Sequence, residues 1–232
     1  MDFSECQYGV FSAAMPVEAL HSVEGGIILD VLKILFNNDL KPKYRAQLDA
    51  IAIKMTKWDK QFYMHAGTNP DMPRTIFKDG ITTLTKLTHT YIVGIMLTVI
   101  ILSLTDDGQQ VFVRAFKTIG YQNPQKRLTD MRYIFQMLLA YWSWLKKDSY
   151  WKLGDTRRKK EAKKAIRKMI SELIRLWPRY DGNGWSKPKI HEQLHVPRDI
   201  ERNGSPKQSY GGPLEHSHVD LKKLSTRTQR IR

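Results

Sequence analysis

A mainly α-helical fold is predicted by two features of the sequence. Apolar residues recur at three- and four-residue spacing over several long stretches, and no convincing alternating strand pattern appears. A third feature, Gly and Pro punctuation from Tyr180 onward, predicts a loop-rich C-terminal region. With 232 residues, 41% of them hydrophobic, and six tryptophans, the chain can bury one sizeable core with a tail. There is no internal repeat.

Taken in order, residues 1–16 form a short, mildly apolar lead-in. Met15 to His21 opens a helix in which Ile27, Ile28, Val31, Leu32, Leu35 and Phe36 repeat at helical spacing. Asn37, Asn38, Asp39 and Pro42 end it. A second helix is predicted from Tyr44 to Trp58, a loop from Thr68 to Arg74, and a turn at Asp79-Gly80. The apolar run Tyr91 to Leu104 has 14 residues, whereas a membrane span needs about 20. It is therefore read as a buried core helix, stopped by Thr105-Asp106-Asp107-Gly108. An aromatic-faced helix follows from Thr129 to Leu145, carrying Tyr133, Phe135, Tyr141, Trp142 and Trp144. From Thr156 to Trp177 bases and apolar residues separate, with Ala162, Ala165, Ile166, Met169, Leu173 and Trp177 forming one stripe. Pro213 suits the first turn of a last helix, Leu214 to Leu224.

Charge narrows the partners. The chain has 38 Lys and Arg against 23 acids, a net charge of +15 and an isoelectric point near 9.8. Such a balance favours polyanions, because each neutralised phosphate releases condensed counterions. Eight bases crowd into one helix: Arg157, Arg158, Lys159, Lys160, Lys163, Lys164, Arg167 and Lys168. A helix can lay such a face along a phosphate backbone, although a basic run also serves as a plain solvated face. Cys6 is the sole cysteine, which excludes an internal disulfide framework and fits a reducing compartment. Residues 1–15 carry Asp2 and Glu5 and do not read as a secretion signal. A nuclear or cytoplasmic protein is expected.

His191-Glu192-Gln193-Leu194-His195 is a His-Glu-x-x-His pattern. On a helix it puts two imidazoles on one face for zinc and lets the glutamate act as general base. Glu215, twenty residues past His195, suits a third ligand, and a zinc peptidase is the alternative function. Against it, Pro188 and Pro197 confine the helix, and Val196, preceding proline, is biased away from α geometry. The histidines also suit ordinary polar residues of a loop.

Met15-Pro16-Val17-Glu18-Ala19-Leu20-His21-Ser22-Val23-Glu24-Gly25-Gly26 is the first of three ordered segments that together resemble the DDE (RNase H-like) transposases of the CACTA and Plavaka type. It resembles the family's Leu-Pro-x-Asp-x-Met/Leu-His-x-x-x-x-Gly stretch. Residues 187–195, followed by Asp199-Ile200 and Gly204-Ser205-Pro206, are similar to its Lys-x-His-x-x-x-His segment with a downstream Gly-x-Pro. Glu215-His216-Ser217-His218, then Lys222, Lys223 and residues 226–230, look like its Glu-x-x-His, Lys, Thr-Gln helix.

The resemblance implies a remnant of an RNase H-like catalytic core at 1–39, a helical insertion at 40–180, and a C-terminal core segment with a basic tail at 181–232. It implies Glu18 at the second acidic position and Glu215 as the third acid. Those acids would hold Mg²⁺ or Mn²⁺ for phosphodiester attack on DNA, and Lys222 and Lys223 would join the bases of 157–168 on the nucleic acid. Two departures weaken catalysis. Position 18 is Glu rather than Asp, which lengthens the carboxylate arm, and only seventeen residues precede it to carry a first acid. The expectation is a truncated, catalytically inactive DNA-binding relative.

Overall fold

The computed structural model describes residues 20–62, 77, 79–84, 89–146, 155–180 and 182–206. Eight helices span most of them, and there is no strand among the described residues. The first, α1, runs through Leu20–Ile28 and Ile34–Asp39 in the wide π geometry, with one α turn, Leu29–Lys33, between them. Next come α2 (Pro42–Phe62), α3 (His89–Leu104), α4 (Asp106–Thr118), α5 (Pro124–Lys146) and α6 (Thr156–Leu176). Two short helices close the described chain, α7 (Pro188–Gln193) and α8 (Val196–Asn203). The short helices α7 and α8 structure the region expected to be loop-rich, while the expected helix at 214–224 lies outside the described residues.

The apolar run forms α3, and burial explains its composition. Ile92, Val93, Ile95, Met96, Val99 and Leu102 are all within 2% of complete burial, so the helix lacks the polar face of a surface helix. Helices α1, α2, α4 and α5 pack around it. No single helix among the described residues is long and apolar enough to cross a membrane.

Thr105-Asp106-Asp107-Gly108 ends α3 as expected, but it also starts a helix that the sequence reading did not anticipate. The Thr105 hydroxyl accepts from Gly108 N–H at 3.2 Å, and Asp106 and Asp107 occupy the first turn of α4, where the helix dipole favours acids. The chain turns by 95° there. A side chain at 108 would meet the Leu102 carbonyl oxygen at 2.0 Å, which only glycine avoids. Arg132 of α5 then donates to the Ser103 carbonyl oxygen and, at 3.2 Å, to its hydroxyl, capping the end of α3.

Single polar groups make the long connections. Asp49 of α2 accepts from the amides of Ile81 and Thr82 at 2.7 and 2.9 Å and from the Thr82 hydroxyl at 2.6 Å. This anchors the loop after Gly80, whose φ of +85° suits glycine. Tyr44 of α2 shares a 2.7 Å hydrogen bond with Thr118 of α4. At the other end, Lys187 and Arg179 both reach Asp30 of α1, at 2.7 and 3.2 Å. The Lys189 stem crosses Gly26, and its ammonium donates to the His21 carbonyl oxygen at 2.9 Å. Buried residues from Val23 to Ile200 therefore share one core.

Candidate nucleic-acid interface and histidine pair

Helix α6 is built from its cap inward. The Asp155 carboxylate accepts from Arg158 N–H at 3.1 Å, closing the first turn. Ile166, Met169, Leu173 and Leu176 are buried and hold the helix on α5, as their spacing predicts. Ala165, assigned to the same stripe from sequence, is exposed. Trp177, just past the helix, is fully buried against Phe135.

The bases take the opposite side. Arg157, Arg158, Lys160, Lys163, Lys164, Arg167 and Lys168 are exposed, and Lys159 is partly covered through its ion pair with Glu201 of α8. Arg157 pairs with Glu161 and Arg158 with Asp155. Among the described residues Lys160, Lys163, Lys164, Arg167 and Lys168 make no ion pair. At about 1.5 Å of rise per residue the row from 157 to 168 is about 16 Å long.

Beside this row stands the histidine pair. Pro188 sits in the first turn of α7 and Pro197 in the first turn of α8, where a missing N–H costs nothing. Val196 is the first residue of α8 although it precedes proline. Between the prolines the chain stays in the right-handed helical region at Leu194 and His195. The two rings therefore face each other, with Nε2 atoms 3.2 Å apart, ring centroids 4.9 Å apart and ring planes at 78°. Burial, aided by Arg198 and His191, holds the His195 imidazole below its usual pKa. Asp199 acts against this, and Lys163 of α6 adds to it.

Neighbouring side chains fix the backbone under the pair. Glu192 accepts from the Ser22 hydroxyl of α1 at 3.1 Å. Gln193 is fully buried, accepts from Tyr141 at 2.8 Å and donates to the Lys189 carbonyl oxygen at 2.7 Å. Among the described residues no group of three or more His, Cys, Asp or Glu is arranged to hold a metal ion. Glu18, Glu215, Lys222 and Lys223 lie outside the described residues.

Several polar residues that organise this region carry no local signal. Arg127 of α5 is sandwiched between the rings of Tyr121 and Trp177, at 4.6 and 4.5 Å from their centroids. It donates to Asp39 of α1 at 2.8 Å and to the Leu176 carbonyl oxygen at the end of α6. Burial raises the Asp39 carboxyl above its usual range, opposed by the Arg127 charge and by hydrogen bonds from Arg127 and Tyr121. Glu24 is buried and accepts from the Trp142 indole at 2.6 Å. Apart from that of Arg127 with Tyr121, these pairings span tens of residues, so no short window of sequence reveals them. No protein family, curated protein or solved structure matches the chain.

Proposed function

We propose that the chain is a DNA-binding protein derived from a DDE transposase and grips the phosphate backbone with the outward face of α6. The observation that carries this reading is the row of five exposed bases, Lys160, Lys163, Lys164, Arg167 and Lys168, free of ion pairing among the described residues. A solvated face that serves only solubility usually interleaves acids with its bases. Here Glu161 is the one acid between Arg157 and Met169. The transposase ancestry rests on the resemblance of the three segments. The stretch following Glu18 and the stretch preceding Glu215, far apart in sequence, meet through Asp30 with Lys187 and Ser22 with Glu192. An RNase H-like remnant would need that approach. The expected activity is binding with little strand cleavage, even with Mg²⁺ or Mn²⁺ present.

Five phosphate contacts would give a log–log salt slope of about −4.5, so raising salt from about 50 to 200 mM should weaken duplex binding several hundredfold. Glutamine at 160, 163, 164 and 167 should flatten the slope by about one per residue that contacts phosphate. Fluorescence anisotropy over a salt series reads both. An affinity indifferent to salt, or a slope untouched by the four substitutions, would remove the basis of the reading.

A further inference from the structure

We propose that His191 and His195 form a two-imidazole chelate for a divalent transition-metal cation, zinc by geometry, at the junction of α7 and α8. This inference is independent of DNA binding and requires no peptidase chemistry. Zinc binds imidazole nitrogen at about 2.0–2.1 Å, so two nitrogens on one tetrahedral ion stand about 3.3 Å apart. The observed Nε2 separation is 3.2 Å, equivalent to an N–Zn–N angle of about 100°.

Ring orientation gives a second check. Two imidazoles radiating from one ion at that angle would have centroids about 5 Å apart. A single head-on N–H···N hydrogen bond of the same length would put them about 5.5 Å apart. The observed value is 4.9 Å. The rings are thus bent toward each other rather than lying in line, and without metal the Nε2–Nε2 contact is itself a hydrogen bond whose donor the tautomers set.

The backbone that carries them is held from several directions. Prolines open the helices on both sides, Ser22 engages Glu192, and Gln193 is locked in the core by Tyr141. Such support lowers the cost of bringing two ligands together. His191 is exposed and His195 half-buried, so an ion can reach both. Arg198 and Lys163 oppose a dication and Asp199 favours it, so affinity would come from the nitrogen donors rather than from the local field. Imidazole donors suit zinc, copper and nickel, and zinc is the ion whose tetrahedral spacing the pair matches. Water would complete the tetrahedron.

The test uses the full chain, free of any affinity tag and stripped of metal, titrated with zinc chloride at neutral pH by calorimetry. One zinc per chain is expected, with His191→Gln and His195→Gln each weakening binding at least about tenfold. Circular dichroism confirms that the variants fold. In the unsubstituted protein, zinc should also shift the ring resonances of both histidines together, a reading that needs no variant. Absence of zinc uptake, or uptake indifferent to either histidine, would overturn the two-imidazole chelate.

Discussion

Lys160 and Arg127 carry the same charge, and the molecule treats them in opposite ways. Lys160 belongs to a row of cations left to solvent, whereas Arg127 is buried with a carboxylate, a carbonyl oxygen and two aromatic faces around it. A buried cation must find partners inside the protein, because its desolvation penalty is several kcal/mol. An exposed cation keeps its hydration and remains available to an external anion. Basic residues in this chain therefore divide into those that build the fold and those that face outward, and burial decides between the two.

Breaking the buried side should have the largest effect. Arg127→Ala leaves Asp39 in the core without its cation and uncaps the Leu176 carbonyl, and is expected to cost about 3–5 kcal/mol of stability. Urea unfolding measures it, and a loss below about 1 kcal/mol would mean that the cluster is not structural. Asp49→Ala releases three donors of the 81–82 loop and should cost about 2–3 kcal/mol by the same measurement.

Alkaline titration sharpens the contrast further. Burial and the neighbouring Asp39 push the Tyr121 phenol up to about 12, and burial pushes the Tyr141 phenol up as well. A group with a raised folded pKa stabilises the protein fully below its unfolded value and loses that contribution as pH climbs through the folded one. Stability should therefore fall between pH 10 and about 12, with phenolate absorbance rising together with unfolding. Tyr121→Phe should make the decline shallower, and an identical decline in that variant would exclude Tyr121 as its source. The smallest effect on stability is expected from the outward face. Glutamine at 160, 163, 164 and 167 should each move it by less than about 0.5 kcal/mol, while together they should remove most of the salt-dependent DNA affinity that we propose.

The same division explains what could be read from the sequence. The apolar run of α3 and the two-sided pattern of α6 are local periodicities, and both appear as helices where expected. Helix α4 was hidden because a stop and a start use the same residues. Thr105 and the aspartates after it close one helix and cap the next, and periodicity alone does not separate the two roles. The π geometry of α1 and the partners of Arg127, Asp39 and Asp49 depend on residues distant in the chain. In the candidate site, the outward bases and the spacing of His191 and His195 were legible. The convergence of the two rings was not, because it depends on Pro197 opening a helix rather than ending one.

The clasp on α1 has a consequence for the order of events as the chain forms. Helices α4 to α6 pack largely on sequence neighbours, whereas α1 receives Lys187, Lys189 and Glu192 from 157 to 170 residues away. Loop closure over such a span is slow relative to local helix pairing. A growing chain must therefore hold α1 incompletely covered until residues 187–192 have been made, and the junction bearing the two imidazoles is among the last parts to mature.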